Sequence, residues 1–198
     1  MKRVTDFLLG IVLLIIVSPV VLLVSTVVFV SLGWPIFFTQ TRPGLGGKSF
    51  RLLKFRTMSN QVDAAGNLLP DAERLSRVGL FLRRYSLDEL PELLNIVKGE
   101  MSLVGPRPLL MEYLPLYNET QRRRNELKPG LTGWAQVRGR NALSWQEKFD
   151  LDVWYVDHRG FWLDLKIIVL TAIQVFRPRG INMDGHTTMP KFRGDEQP

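Results

Sequence analysis

Residues 7–32 read FLLGIVLLIIVSPVVLLVSTVVFVSL, and no charged side chain occurs between Asp6 and Arg42. About 20 apolar residues suffice to cross a bilayer core, and this run is longer. It is not a removable signal peptide, because the apolar part is too long and no small-residue cleavage site follows it. Ser18-Pro19 stands near its middle. A proline inside a helix removes one backbone hydrogen bond and bends the chain. The carbonyl so freed needs a partner, and the Ser18 hydroxyl is the local one.

Both flanks of the run are basic. Lys2 and Arg3 precede it; Arg42, Lys48, Arg51, Lys54 and Arg56 follow. Cytoplasmic flanks attract Lys and Arg, so a segment that dips in, bends at Ser18-Pro19 and returns to the same side is one expectation. A bent spanning helix is the other, and the residues by themselves leave both open.

Downstream, PIFFTQTRPGLGGKSFRLLKFRTM (35–58) reads as a β-hairpin, with strands at 36–41 and 49–58 around a Pro43–Gly47 turn. RPGLGGKS (42–49) falls short of a phosphate-binding P-loop: Arg42 replaces the first glycine, and a strand follows where a helix is required. NQVDAAGNLLPD (60–71) is a polar loop. A helix is expected over 71–85, with Leu75, Val78, Leu82 and Tyr85 in one stripe, and another over 87–98, ended by Gly99. Residues 111–127 read as a helix broken at Pro115, with Arg122-Arg123-Arg124 as a solvated face or a lipid-phosphate contact. Residues 149–156 are mixed. FWLDLKIIVLTAIQVF (161–176) is short for a span and suits a buried or interfacial helix. The tail from Arg177 is irregular.

With 198 residues the chain makes one modest domain, or one domain plus an anchor. It has no cysteine, which excludes disulfides and thiolate catalysis. His158 and His186 lack neighbours at metal-ligand spacing, so a zinc site and a Ser-His-Asp triad are disfavoured. The net charge of +7 and a pI near 10 call for anionic partners. No nucleic-acid-binding module is recognisable, so phosphorylated small molecules and acidic lipids are expected instead.

YSLDELPELLN (85–95) sets Asp88 and Glu89 before a proline and an apolar run. Ser86-x-x-Glu89 matches a helix capping box, which would explain the pair structurally. The same position also suits catalysis. A carboxylate at a helix start is held ionised and oriented; an ionised Asp attacks phosphorus, and a neighbouring Glu helps hold Mg²⁺ on a diphosphate. Arg42, Arg56, Arg107 and Arg140, all in Gly- or Pro-marked segments, are candidate phosphate ligands.

Three stretches together, FTQTRPGLGGKSFRLLKFRTM (38–58), SLDELPELLNIVKGEMSLVGPRPLL (86–110) and KPGLTGWAQVRGRN (128–141), resemble the bacterial sugar transferases, the monotopic phosphoglycosyl transferases. The likeness covers nearly the whole chain, including Ser18-Pro19, in the form of the small, minimal members. It implies an α+β, mainly helical fold: a re-entrant membrane helix with a Ser-Pro break (anchor, 1–35), a small β-hairpin, and amphipathic interfacial helices around a compact catalytic domain (36–198). It implies an enzyme at the cytoplasmic face of the bacterial inner membrane that moves a phospho-sugar from a UDP-sugar to undecaprenyl phosphate and releases UMP. By resemblance Asp88 is the nucleophile, and Glu89 assists Mg²⁺ or proton handling. Arg140 matches a phosphate-contacting position, and Lys54, Arg42, Arg56 and Arg107 match motif positions. Glu92 stands where Gln is common in the family. NALSWQEKFDLDVWYV (141–156) and DGHTTMPKF (184–192) look most like members acting on bacillosamine-type sugars. Asp152, Tyr155 and Gln136 are candidate uridine contacts. A glycosyl transferase releasing UDP and a non-catalytic basic membrane scaffold are the rival readings. The oligomeric state is left open.

Overall fold

A computed structural model of the chain describes residues 2–139, 142–176 and 191–194. The apolar run forms one long helix, α1 (Lys2–Leu32), with Pro19 inside it. At 1.5 Å per residue a helix of 31 residues is about 46 Å long if straight. The Ser18 hydroxyl donates to the carbonyl of Ile15 at 2.8 Å, the carbonyl whose usual i+4 donor would be residue 19. The helix assignment is continuous across this point.

α1 is apolar on every side, but only one stripe meets the rest of the chain. Asp6, Gly10, Val24 and Val28 are buried, and Leu14, Val17, Val21 and Leu32 pack against the core clusters. Their spacing of three and four residues is one helical face. The opposite face stays bare: Ile15, Leu22 and Val30 are 69%, 69% and 78% exposed.

The hairpin forms as expected, from β1 (Phe37–Pro43) and β2 (Ser49–Phe55), paired from Phe37↔Phe55 to Pro43↔Ser49. The turn is closed by Gly44 N–H on the Lys48 carbonyl at 2.7 Å. β2 ends three residues sooner than expected; Met58 instead bridges to Leu75.

The expected helix over 71–85 is two pieces, α2 (Asp71–Arg74) and α3 (Arg77–Arg84). The break is made by Ser76, whose side chain caps α3 by accepting from Gly79 N–H. Gly79 lies so close to β2's exit that a Cβ there would sit 1.9 Å from the Thr57 carbonyl oxygen. The expected helix over 87–98 also divides. Leu87–Glu89 is a 3₁₀ turn, and α4 (Glu92–Lys98) begins after Pro91.

A second sheet was not foreseen. β3 (Ser102–Val104) and β4 (Gly130–Thr132) pair in parallel, Ser102↔Gly130 and Val104↔Thr132. A Cβ at Gly130 would meet Gly105 N at 2.1 Å, so this contact requires glycine. The expected helix over 111–127 resolves into a 3₁₀ segment through Pro115 (Met111–Leu116), α5 (Glu119–Arg122) and a second 3₁₀ segment (Arg123–Glu126). Asn118 restarts the helix with a capping box to Gln121.

α6 (Trp134–Arg138) follows, and the mixed segment is in fact α7 (Trp145–His158), started by a Ser144–Glu147 capping box. α8 (Phe161–Phe176) buries Ile167 and packs Leu163 and Leu170 on the main core. Its other face leaves Phe161 and Trp162 67% and 78% exposed. The main core joins β2, α4, β3, α6, α7 and α8 through Phe50, Ile96, Leu103, Trp134, Tyr155 and Ile167.

Candidate active site

Period two along the hairpin fixes two of the site's cations. Phe50 and Leu52 face the core from β2, and Lys54 continues their row. Directly opposite Phe50 is Arg42, which therefore shares that face. α4 is fastened to β2 by Asn95: its side-chain oxygen accepts from Leu53 N–H at 3.1 Å, and its amide donates to the Arg51 carbonyl at 2.8 Å. This tie sets the start of α4, and the acidic turn before it, beside Lys54.

The turn carries its carboxylates in an unusual backbone. Ser86 has φ 56°, the left-handed region, and its side chain makes no capping bond. The expected Ser86–Glu89 capping box is thus absent, because Ser86 is turned away from the helical geometry that a cap requires. Glu89 is engaged elsewhere. Its Oε1 accepts from Lys54 Nζ at 2.8 Å and from an Arg107 guanidinium nitrogen. Burial opposes the Glu89 charge, but Arg107 and Lys54 outweigh it and hold the carboxyl well below the usual range. Lys54 is pushed up in return: burial works against its charge, and Glu89 and Glu92 prevail. Glu89 likewise raises Arg107.

Asp88 is different. It is buried, and no hydrogen bond or ion pair to its carboxylate occurs among the described residues. Burial, then the adjacent Glu89, push its carboxyl up, while Lys54, Arg83 and Arg107 pull the other way. The adjacent carboxylates are thereby driven in opposite directions, one neutralised by two cations and the other without a bonded partner among the described residues.

Glu92, in the first turn of α4, is 2% exposed and is a third carboxylate at this point. Its Oε1 lies 3.1 Å from Lys54 Nζ without hydrogen-bond alignment. Burial pushes Glu92 up to about 7, with Glu89 adding to the effect and Lys54 opposing it.

Arg42 donates to Gln40 Oε1 at 2.6 Å, while its Nε is buried without a partner among the described residues. Burial, then the like charge of Arg107, lower it to about 10. Two guanidiniums within electrostatic reach of one another make a receptive place for an anion.

Arg56 does other work. Its guanidinium donates to the carbonyls of Leu32 and Gly33, the latter at 2.7 Å, so it grips the exit of α1. The structure commits it to backbone oxygens where a phosphate ligand was expected, because it lies one residue past β2, under the end of the long helix. Arg140 lies outside the described residues, as does most of the 184–192 stretch. Of the candidate uridine contacts, Asp152 is buried against Arg124, and Tyr155 is buried with its hydroxyl on Asp164 and the Val104 carbonyl. The Gln136 amide has no hydrogen-bond partner among the described residues. Sequence reasoning passed over Arg83 and took Arg124 for part of a solvated or lipid-facing run, whereas it is buried on Asp152. The first is half-buried on α3 within electrostatic reach of Asp88, and nothing in its local pattern separates it from Arg84.

The donor set suits one kind of metal. No group of three His, Cys, Asp or Glu side chains is placed to hold a metal ion among the described residues, so a closed protein cage is not offered. Asp88, with no bonded partner among the described residues, and Glu89 are the carboxylates that could serve Mg²⁺, an ion that takes one or two carboxylates and fills its octahedron with phosphate oxygen and water.

Comparison with known proteins gives a consistent result. The family model described as bacterial sugar transferase matches residues 1–178. An uncharacterized sugar transferase, EpsL of Bacillus subtilis, is 55% identical over 194 residues, which cover 98% of this chain and 96% of that protein. The exopolysaccharide production protein ExoY of Rhizobium meliloti is 39% identical, over 90% of this chain and 87% of its own length. A UDP-glucose:undecaprenyl-phosphate glucose-1-phosphate transferase of Escherichia coli is 37% identical over 89% of this chain, which spans 40% of that longer protein.

Proposed function

The chain belongs to the bacterial sugar transferase family, and from that premise we propose that it transfers a phospho-sugar from a UDP-sugar to undecaprenyl phosphate, releasing UMP. The observation that carries this reading is the contrast within the dyad: Asp88 is buried with no bonded partner among the described residues, beside a Glu89 neutralised by Lys54 and Arg107. A carboxylate without hydrogen bonds keeps its electron pairs available for attack. The name of the Escherichia coli relative, an undecaprenyl-phosphate glucose-1-phosphate transferase, supports the same reaction class.

The mechanism is a double displacement. Arg42 and Arg107 receive the donor diphosphate, and Lys54 keeps Glu89 ionised beside it. An Asp88 oxygen attacks the β-phosphorus, the one bonded to the sugar oxygen. The Asp88 O–P bond forms, the bond from that phosphorus to the bridging oxygen breaks, and UMP leaves with the bridging oxygen. A phosphate oxygen of undecaprenyl phosphate then attacks the same phosphorus. The Asp88 O–P bond breaks, and the carboxylate is restored. Mg²⁺, held by Asp88 and Glu89 together with the diphosphate, would supply further neutralisation of the phosphate charge. Positioning and charge neutralisation carry most of the catalysis in phosphoryl transfer.

The acceptor is a lipid, and the two-domain plan serves it: residues 1–35 as a re-entrant anchor and 36–198 as a catalytic domain on the cytoplasmic face of the inner membrane. Support for re-entrance comes from both ends of α1. Arg3 binds the carbonyls of Ile96 and Val97, and Asp6 accepts from Ser102 and Leu103. At the other end Arg56 holds Leu32 and Gly33. Two ends fastened to one folded body favour one side of the bilayer. The exposed Trp34, Phe81 and Trp162 suit the interface.

The test is nucleotide release from the detergent-solubilised protein with undecaprenyl phosphate, Mg²⁺ and a panel of UDP-sugars that includes glucose, galactose and diacetamido sugars. One donor should yield UMP, and Asp88→Asn should abolish it and leave no phospho-sugar on the protein by mass spectrometry. UDP as product would transfer the assignment to a glycosyl transferase. UMP release undiminished by Asp88→Asn would remove Asp88 from the chemistry.

A further inference from the structure

Arg107 stands between two prolines in the turn after β3. Such a segment has stiff φ angles but few N–H groups with which to hold itself in place. Its carbonyls are held from outside. Gly130 N–H donates to the Pro106 carbonyl at 3.0 Å. The next carbonyl, that of Arg107 itself, accepts from Arg124 Nη2 at 2.6 Å.

Arg124 is the last of three consecutive arginines, yet it is 2% exposed. Every nitrogen of its guanidinium is used. Nε and Nη2 reach Asp152 Oδ2 at 3.1 and 2.7 Å, and Nη1 reaches the Tyr117 hydroxyl at 3.3 Å. Its plane lies near the Phe149 and Tyr117 rings, 5.7 and 5.9 Å from their centres. Asp152 comes from the middle of α7 and is itself 3% exposed. A buried ion pair contributes little net stability compared with apolar residues of the same volume, whereas it does fix geometry. This one fixes the backbone of the residue whose side chain binds Glu89.

We propose that Arg124 and Asp152 form a positioning clamp for Arg107. The clamp holds the Arg107 carbonyl so that its guanidinium meets both Glu89 and the donor diphosphate. This rests on the phosphoglycosyl transfer reading. Arg124 and Asp152 touch no substrate; they act through Arg107. Lysine cannot replace Arg124, because one ammonium cannot reproduce a planar fork that spans a carboxylate, a hydroxyl and a carbonyl.

The experiment is a double-mutant cycle on the full-length protein, read as kcat and KM for the donor and as the unfolding midpoint. Arg124→Lys and Arg107→Lys are made singly and together; Arg107→Lys keeps a cation and so a measurable rate. A displacement of about 1 Å at a reacting group costs on the order of 100-fold, so Arg124→Lys should lower kcat/KM by roughly 10- to 100-fold. It should divide this loss between kcat and KM as Arg107→Lys does. In the Arg107→Lys background it should cost less than about 3-fold more, because residues acting as a unit are not additive. Asp152→Asn, nearly isosteric, should repeat the pattern if Arg124→Lys folds poorly. Full multiplication of the two single losses, or a loss matched only by a fall in unfolding midpoint, would overturn the clamp. If the wild type released UDP, the parent reading would fall, while the cycle measured on that turnover would still judge the clamp.

Discussion

Replacing Glu92 by glutamine should stabilise the protein, and should do so only above a certain pH. Glu92 is 2% exposed, shares Lys54 with Glu89, and is pushed up to about 7 chiefly by burial. An ordinary glutamate in the unfolded chain ionises near 4.5. Between those two values the folded form binds more protons than the unfolded form, so stability falls as pH rises through the window. Below about 4.5 both states are protonated and the side chain adds no pH dependence. Above about 7 both are ionised, and the folded state bears the whole cost. At about 1.4 kcal/mol per pH unit the window amounts to roughly 3 kcal/mol as an upper figure. Glutamine copies the neutral side chain in size and cannot ionise. The variant should therefore match the wild type near pH 4.5 and exceed it by up to roughly 3 kcal/mol at pH 8, measured by denaturant or thermal unfolding at several pH values. An advantage of equal size at both ends of the range would refute the reasoning, because it would locate the effect in packing. A loss at pH 8 would mean that the Lys54–Glu92 attraction exceeds the burial cost.

Other outcomes follow from features on different elements. Cysteines placed at position 2 and at position 66 should both be labelled from the cytoplasmic side by an impermeant reagent; labelling from opposite sides would restore a spanning α1. Gly79→Ala would put a methyl 1.9 Å from the Thr57 carbonyl oxygen, forcing α3 away from the end of β2. It should cost about 1–3 kcal/mol, visible as a lowered unfolding midpoint. If Asp88 is the nucleophile of the proposed double displacement, the acid limb of kcat/KM should lie above the ordinary aspartate value of 3.8, since burial and Glu89 raise its carboxyl. Activity is then lost as pH falls through that limb, and a limb at or below 3.8 would contradict the environment described for Asp88.

Where the sequence carries a strong local signal, the structure follows it. The uncharged run becomes α1, the Pro43–Gly47 region becomes the hairpin turn, and Gly99 closes α4 with φ 89°. The Ser18 hydroxyl and the Ile15 carbonyl meet as the proline requires. Misreadings occur where local signals compete. Residues 71–85 carry a helical stripe, yet Ser76 is a better cap than an interior residue. α7 announced itself by Ser144 and Glu147, but its apolar residues do not form a clean stripe. β3 and β4 are three residues each and meet only through tertiary approach at Gly105 and Gly130, a contact no periodicity encodes. The site divides the same way. Asp88 and Glu89 were visible as a pair, and Lys54, Arg42 and Arg107 as motif positions. That Arg56 faces the helix exit and that Arg124 is buried depends on neighbours distant in sequence. A run of three arginines looks alike in one dimension, whichever of them turns inward.

Lys54 and Arg56 stand two residues apart at the end of one strand, with the first on Glu89 and the second on the last carbonyls of α1. An extended chain spans about 7 Å over that interval. The interval acts as a rigid spacer between the end of the apolar helix and the ammonium that holds Glu89. Bilayers of different thickness would shift the resting depth of Leu32, as hydrophobic mismatch dictates. The spacer then carries the lysine up or down with it, so the height of the chemistry above the acyl chains is referenced to the protein's own foothold and not to the average plane of the membrane.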